Sequence, residues 1–247
     1  MEKRTAIVTG SCRGIGFAIA KELAEKGFDL AMLDVAEDAL KSSALKLKES
    51  TNAEILPIVV DLSDTGQLKK ACDDIREKFN TVDTIVNVAG VAWGTDFEKI
   101  SVEEWDKVFD INLKSGFLLT QEFIGDMCKN GFGRIISISS MAGVMGSENA
   151  GCHYCASKAA VIGFIKYVSK KYAKYGITAN AIAPGPIESE MVRGLGEATY
   201  QNLLDSMPTH KLGRPDQIAA VAELLASERG GFITGTVIEA SGGQIIV

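Results

Sequence analysis

A tyrosine and a lysine four positions apart, Tyr154 and Lys158, form the pattern in this sequence that points most directly to chemistry. Residues at i and i+4 share one face of a helix, so the ammonium of Lys158 is expected beside the phenol of Tyr154. A nearby cation favours the phenolate and lowers a tyrosine pKa that is ordinarily about 10. The pair therefore predicts a tyrosine that acts as acid or base near neutral pH. Taken alone, the spacing is common by chance and usually marks an exposed helix face.

A glycine-rich turn lies near the start of the chain. Gly10, Gly14 and Gly16 follow a short apolar run, and a helical pattern begins at once. Glycines let the backbone approach a phosphate closely, and the free N–H groups of a helix start can hold its charge. The spacing G-x3-G-x-G differs from the usual dinucleotide fingerprint and is not a P-loop. It predicts a nucleotide phosphate site, the alternative being a tight strand-to-helix bend.

An acidic residue, Asp34, ends the second apolar run, 18 residues beyond Gly16. A carboxylate at this point can accept both ribose hydroxyls of an adenosine and would repel a 2′-phosphate. Arg13 favours the opposite preference, because a guanidinium in the turn can pair with that phosphate. We expect Asp34 to dominate, which predicts NAD(H) over NADP(H). If Asp34 is only a solvated loop acid, the preference is open.

The elements that must position these residues alternate along the chain. Continuous apolar runs typical of buried parallel strands cover 6–8, 30–33, 55–60, 84–86, 134–138, 178–182 and 236–239. Helical patterns lie between them at 15–26, 37–49, 66–79, 102–129, 155–175 and 216–226. Ser101 and Glu104 predict a capping box at one helix start. The alternation predicts an α/β fold: a single-domain (1–247), Rossmann-type, doubly wound parallel sheet of about seven strands with helices on both faces.

The segment 188–214 breaks this alternation and is too long for an ordinary connection. Its apolar residues favour a lid over the substrate, namely Met191, Val192, Leu195, Leu203 and Leu204. Two serines, Ser139 and Ser140, end the strand at 134–138, at the sheet edge where ligands bind. A serine hydroxyl there can hydrogen-bond a substrate oxygen.

Composition excludes several function classes. The 247 residues carry a net charge of −6, which argues against a general nucleic-acid surface. No apolar run approaches the roughly 18 residues that span a bilayer. Five scattered cysteines and no visible export signal predict reduced thiols in a cytoplasmic protein. Cys152 and Cys155 form a C-x-x-C, which could be a redox dithiol or half a metal site; without a second pair, we expect no metal. His153 between them is expected at the pocket rim.

The landmarks together resemble the short-chain dehydrogenase/reductase family, and the resemblance covers essentially the whole chain. The matching segments are 9–16, 61–62, 87–90, Asn112, Ser140, Tyr154 with Lys158, 184–187, 213–216, 233–235 and 242–243. The family departures are Val88 where a second asparagine is usual, Ser241 where aspartate is common, and a slightly long interval of 14 residues from Ser140 to Tyr154. That interval leaves Ser139 as a less favoured catalytic serine.

The resemblance implies roles for these residues. Tyr154 would be the general acid/base, and Ser140 would polarise the substrate oxygen. Lys158 would lower the tyrosine pKa and hold the nicotinamide ribose, and Asn112 would support a proton relay. The cofactor would be held by Gly10, Cys12, Arg13, Gly14, Ile15, Gly16, Asp34, Val35, Asp61, Leu62, Asn87, Ala89, Gly90, Tyr154, Lys158, Pro184, Gly185, Ile187 and Ser189.

These observations predict an NAD(H)-dependent oxidoreductase that transfers a hydride between nicotinamide C4 and a secondary alcohol or ketone. The alternative is a 3-oxoacyl-carrier-protein or -CoA reductase, which the chain also resembles. A non-catalytic nucleotide-sensing module is a third, remote reading, since fold does not fix function. The resemblance implies a homotetramer built on the helices at 102–129 and 155–175. An acyl carrier protein is a further candidate partner, for which exposed lysines are available at Lys129, Lys170, Lys171 and Lys174.

Overall fold

The computed structural model describes residues 3–194, 196–244 and 246. Seven apolar runs form one parallel sheet in the order β3-β2-β1-β4-β5-β6-β7. The strands are β1 (Thr5–Thr9), β2 (Asp29–Asp34), β3 (Ile55–Val59), β4 (Thr84–Asn87), β5 (Gly133–Ile138), β6 (Ile177–Pro184) and β7 (Val237–Ala240). The predicted fold class is confirmed.

Helices cover both faces of the sheet. They are α1 (Gly14–Glu25), α2 (Glu37–Ser50), α3 (Thr65–Phe79), α4 (Val102–Phe109), α5 (Ser115–Asn130), α6 (Met141–Met145), α7 (Cys152–Tyr172), α8 (Glu190–Arg193), α9 (Glu197–Ser206) and α10 (Pro215–Ala226). One core lies beneath α1, α2 and α10, and the other beneath α3, α5 and α7. Successive strand residues serve opposite cores, as with Ala6 and Ile7, because side chains alternate across a sheet.

The order of the strands places a crevice above β1 and β4. β1 pairs with β2 on one side and with β4 on the other, so the winding direction reverses there. In open α/β sheets ligands bind at the carboxyl ends of strands, at such a switch point. The fold therefore directs the segments after β1, β2, β4, β5 and β6 toward one edge.

Two expected helices differ from the sequence expectation. The helix expected over 102–129 is interrupted by a π-helical turn, Asp110–Lys114, which carries Asn112. The helix expected over 155–175 begins earlier, at Cys152, and ends in a 3-10 turn, Ala173–Tyr175.

The expected lid, 188–214, contains α8 and α9. Its two ends are joined, because Glu188 N donates to Gly213 O at 2.8 Å and Gly213 N donates to Pro186 O at 3.0 Å. Val192, Leu203 and Leu204 are partly buried. Leu195 and the side chain of Met191, the other two apolar groups of the expected lid, lie outside the described part of the structure.

We expect Ile165→Val on α7 to lower the free energy of unfolding by about 0.5–1.5 kcal/mol, because one methyl group leaves a well-packed core. Ile165 is 0% exposed and packs beneath α7 against the sheet. Urea unfolding measures the loss. The control is Leu45→Ala on α2, which removes more carbon from a side chain 56% exposed and is expected to cost no more than about 0.5 kcal/mol. Equal losses in the two variants would contradict the described packing.

Candidate active site

A cleft of about 750 Å³ opens at the carboxyl edge of the sheet, within the size range of small-molecule sites. Most of the predicted site residues line it: Gly10, Arg13, Gly14, Ile15, Gly16, Asp34, Val35, Asp61, Leu62, Ala89, Gly90, Ser140, Tyr154, Lys158, Pro184, Gly185, Ile187 and Ser189. The structure thus brings together residues from both halves of the chain. The lining also includes residues that the sequence analysis did not assign to the cofactor or the reaction, among them Val91, Trp93, Ile111, Glu188 and Pro215.

Three predicted site residues, Cys12, Asn87 and Asn112, lie behind this lining. Cys12 is buried, and Asn87 Nδ2 donates to Ser137 Oγ at 3.2 Å within the sheet. The expected contacts of Cys12 and Asn87 with the cofactor stay a prediction, since neither residue is part of the lining of the cleft. A pattern of sequence landmarks does not separate residues that face a cleft from those that support it.

The glycine turn is packed too closely for side chains. A Cβ on Gly16 would lie 1.9 Å from Gly10 O, and Gly10 itself has φ +62. Gly14 begins α1, so the free N–H groups of that helix face the cleft. A cradle of bare backbone at a helix N-terminus fits the diphosphate of a nicotinamide dinucleotide.

Asp34 is held in place beside this turn. Its Oδ2 accepts from Cys12 N and its Oδ1 accepts from Ala36 N, both at 3.1 Å. The carboxylate is therefore fixed at the end of β2 and is not a freely solvated loop acid. Arg13 is exposed and lines the same cleft. Burial and the neighbouring Asp34 raise the pKa of the Cys12 thiol to about 11, so this thiol stays protonated.

The structure separates the roles of the two serines. Ser140 follows β5, and its hydroxyl forms a hydrogen bond with the phenol of Tyr154. Ser140 Oγ also accepts from Ala142 N at 3.1 Å, which caps α6. Ser139 Oγ instead donates to Lys158 O at 2.8 Å in the buried interior. Ser140 is therefore the serine that can meet a substrate oxygen beside Tyr154.

Lys158 is fully buried beneath the cleft. Its Nζ donates to Ile138 O at 2.8 Å and lies 5.7 Å from the centroid of the Tyr154 ring. Burial lowers the pKa of Lys158 to about 8.

The Tyr154 pKa moves opposite to the sequence expectation. Burial raises the pKa of Tyr154, and the hydrogen bond from Ser140 opposes this only in part. The prediction that Lys158 lowers the pKa is wrong for this structure, because desolvation dominates and the ammonium is directed at a carbonyl. Tyr154 therefore carries its proton at neutral pH and is ready to donate it.

Asn112 joins the cleft wall to α7. Its Oδ1 accepts from Val91 N at 2.8 Å, and its Nδ2 donates to Val91 O and to Ser157 Oγ, each at 3.0 Å. Ser157 Oγ donates in turn to Tyr154 O at 2.8 Å. The amide therefore fixes the backbone that follows β4 relative to the helix that carries Tyr154 and Lys158.

Other candidate groups lie outside the cleft lining. Cys152 is exposed, and Cys155 Sγ donates to Ala150 O at 3.2 Å. Over the described ranges, no group of three or more His, Cys, Asp or Glu side chains is placed to hold a metal ion. Within the same part of the chain, no helix combines the length and apolarity needed to cross a membrane.

Comparison with known proteins places this geometry in a family. Residues 10–244 match a family model described as enoyl-(acyl carrier protein) reductase. The chain is 37% identical over 241 residues to the 3-oxoacyl-[acyl-carrier-protein] reductase of Chlamydia muridarum, covering 98% of this chain and 97% of that one. The chain belongs to the short-chain dehydrogenase/reductase family. It is an oxidoreductase whose fold binds a nicotinamide cofactor.

Solved structures of short-chain dehydrogenases/reductases superpose over nearly the whole chain. The 3-oxoacyl-[acyl-carrier protein] reductase of Brucella melitensis has a TM-score of 0.92 at 31% identity, covering 99% of this chain and 92% of that one. The L-sorbose reductase of Gluconobacter frateurii, solved with NADPH and L-sorbose, has a TM-score of 0.94 at 25% identity, covering 99% and 97%.

Proposed function

We propose that this protein reduces the 3-oxo group of an acyl thioester carried by acyl carrier protein. The observation that carries the proposal is the identity of 37% over almost the full length of a 3-oxoacyl-[acyl-carrier-protein] reductase. Tyr154 is partly buried beside Ser140 and carries its proton at neutral pH, so it can supply the proton that carbonyl reduction consumes. The sequence analysis put a simple secondary alcohol or ketone first, and the relatives favour its alternative.

The mechanism follows from the cleft residues. The glycine turn and Lys158 would hold the reduced nicotinamide cofactor, whose chemistry would be to supply a hydride to the carbonyl carbon. Ser140 donates a hydrogen bond to the substrate oxygen and polarises the carbonyl. Tyr154 delivers its proton to the same oxygen as negative charge develops there. Lys158 lines the same cleft and would hold the nicotinamide ribose.

The four lysines considered for the carrier protein do not face the cleft within one chain. Lys129 lies at the end of α5, Lys170 and Lys171 lie at the end of α7, and Lys174 lies in the 3-10 turn that follows α7. These helix ends meet at Gly131 and Gly176, before β5 and β6 begin, and so at the opposite edge of the sheet. A carrier protein that delivers an acyl chain to Tyr154 must approach the carboxyl edge.

Exposed aromatic side chains support the proposed self-association into a tetramer. Trp105 on α4, Phe117 on α5 and Tyr167 on α7 are each more than a third exposed. They lie on the helices that the family resemblance assigns to the subunit interface. Burial of such side chains would remove apolar surface from water.

We also propose NAD(H) as the preferred cofactor, supported by the fixed carboxylate of Asp34. Asp34→Ala is expected to shift the kcat/KM ratio toward NADP(H) by at least about tenfold, because a repulsive charge is removed from the 2′-phosphate position. The matched variant Arg13→Ala should shift the ratio the other way. Steady-state kinetics with NADH and NADPH measure both. An unchanged ratio in Asp34→Ala would show that Asp34 does not discriminate.

A substrate panel tests the main proposal. Acetoacetyl thioesters of acyl carrier protein and of coenzyme A, simple ketones and polyols are assayed by absorbance with each cofactor. We expect the highest kcat/KM for the acyl-carrier thioester. Turnover of ketones or polyols, without turnover of either thioester, would overturn this proposal and favour an oxidoreductase for simple secondary alcohols or ketones. Cofactor binding without turnover of any substrate would favour a nucleotide sensor.

A further inference from the structure

The histidine next to Tyr154, expected at the pocket rim, is buried. His153 lies on the first turn of α7 and is 0% exposed. Its Nε2 lies 2.8 Å from Glu104 Oε1 on α4. A carboxylate oxygen only accepts, so Nε2 carries the hydrogen and donates it. The Nδ1 atom is buried and has no hydrogen-bond partner within the described part of the chain.

The side chain of Glu104 binds His153 and not, as the capping box predicted, the backbone at Ser101. The capping box predicted at Ser101 is only half formed: Glu104 N donates to Ser101 Oγ at 3.1 Å. The carboxylate of Glu104 reaches His153, 49 positions along the chain. The pKa of Glu103, its neighbour, is lowered by local hydrogen bonds, from its own backbone N–H first and then from Ser101. Two adjacent glutamates therefore have different functions, one local and one tertiary.

Two polar links now join α4 and its π-helical extension to α7. The outer link is Glu104 with His153, and the inner link is Asn112 Nδ2 with Ser157 Oγ at 3.0 Å. Tyr154 lies between His153 and Ser157 on α7. The helical turn that carries the phenol is therefore held on both sides by the same partner segment.

The outer link also supports a wall of the cleft. Trp93 lines the cleft and a smaller adjoining pocket of about 380 Å³ that Glu103 and Glu104 line as well, but only Glu104 also contacts His153. Its ring centroid lies 6.4 Å from that of His153, and Trp93 O accepts from Gly151 N at 3.2 Å. A Cβ on Gly151 would lie 2.8 Å from His153 Nδ1, so the backbone is packed directly on the imidazole. Movement of His153 would therefore displace both Trp93 and Tyr154.

We propose that Glu104 and His153 form a positioning pair that fixes Tyr154 and the Trp93 wall relative to the substrate carbonyl. The inference rests on the proposed carbonyl reduction and assigns the pair to that site. Neither side chain touches the reacting atoms. Their contribution is geometric, since proton transfer depends steeply on the placement of the donor.

The test compares Glu104→Ala with Glu103→Ala, which removes a carboxylate from the adjacent position on α4. In Glu104→Ala we expect kcat for 3-oxoacyl thioester reduction to fall about 10- to 100-fold, with the cofactor Kd within about twofold. Glu103→Ala should retain both values. Glu104→Gln, whose side-chain oxygen still accepts from Nε2–H, should recover most of kcat. Combining Glu104→Ala with His153→Ala should cost no more than the worse single variant.

A second readout does not depend on turnover. The chain has two tryptophans, so Trp105→Phe leaves Trp93 as the only indole. In that background, Glu104→Ala should change the Trp93 emission and Glu103→Ala should not. If Glu104→Ala does not fold, Glu104→Met, which keeps the length of the side chain, takes its place in both measurements.

Failure of the inference and failure of the proposed function give different results. Equal kcat in wild type and Glu104→Ala, equal losses in the two glutamate variants, or a cofactor Kd that weakens in parallel with kcat would each overturn the positioning pair. A wild-type chain that reduces no carbonyl would overturn the proposed function. The Trp93 emission then decides the inference: an unchanged spectrum in Glu104→Ala overturns it.

Discussion

Tyr154→Phe is expected to lower kcat about 10³-fold, in the middle of the range for the loss of a general acid, and to leave cofactor binding unchanged. The substitution removes one oxygen atom and keeps the ring that packs beside Lys158. The substrate oxygen then has no donor for its proton, while the hydrogen bond from Ser140 remains available. Because burial raises the Tyr154 pKa, the wild-type phenol is fully protonated at neutral pH, so the whole enzyme population is affected.

Steady-state rates and a fluorescence titration with NADH measure the two effects separately. The control is Tyr175→Phe, which removes the same oxygen from an exposed tyrosine in the 3-10 turn that follows α7. That variant should match wild type in kcat and in cofactor Kd. If Tyr154→Phe stays within about tenfold of the wild-type rate, another group supplies the proton and the assigned role fails.

Gly16→Ala is expected to weaken cofactor binding about 10- to 100-fold and to lower the free energy of unfolding by about 1–3 kcal/mol. The added Cβ would lie 1.9 Å from Gly10 O, far inside van der Waals contact. Gly10 O is a backbone atom and the added Cβ is bonded directly to the backbone, so no change of side-chain rotamer relieves the overlap. The start of α1 must move away from the glycine turn, and the N–H groups that we propose hold the diphosphate move with it.

The matched control is Gly125→Ala, another helical glycine with open space around its Cβ position on α5. It should stabilise the protein by about 0.5–1 kcal/mol, because alanine has the smaller backbone entropy loss in a helix. Calorimetry of cofactor binding and urea unfolding report on both variants. Wild-type affinity in Gly16→Ala would exclude the glycine turn as the diphosphate site.

The sheet could be predicted from sequence because its signals are local. Strand β6 is expected over 178–182 and found at Ile177–Pro184, since a continuous apolar run is enough to specify a buried parallel strand. The π-helical turn could not be predicted in this way. Asn112 is held there by hydrogen bonds to Val91 and Ser157, which lie in other parts of the chain. The helical periodicity of 102–129 carries no information about these distant partners.

In the candidate site, too, local features could be predicted from the sequence and contacts between distant residues could not. The glycine turn and Asp34 are recognisable because spacing along the chain places them next to each other at one sheet edge. The expected direction of the Tyr154 pKa shift was wrong because the shift is set mainly by burial, which depends on how distant parts of the chain pack around the phenol. Glu104 was assigned to a local cap for a similar reason, since its partner His153 comes from a distant helix.

The most direct test of the central claim is the fate of deuterium from NADH labelled at both C4 positions. The wild-type protein is incubated with this cofactor and acetoacetyl-acyl carrier protein, and the released acyl group is analysed by mass spectrometry. The account predicts a 3-hydroxyacyl product with one deuterium on C3, formed in wild type and about 10³-fold more slowly in Tyr154→Phe. Recovery of unreduced acetoacetyl thioester, or of a reduced product without deuterium on C3, would contradict it.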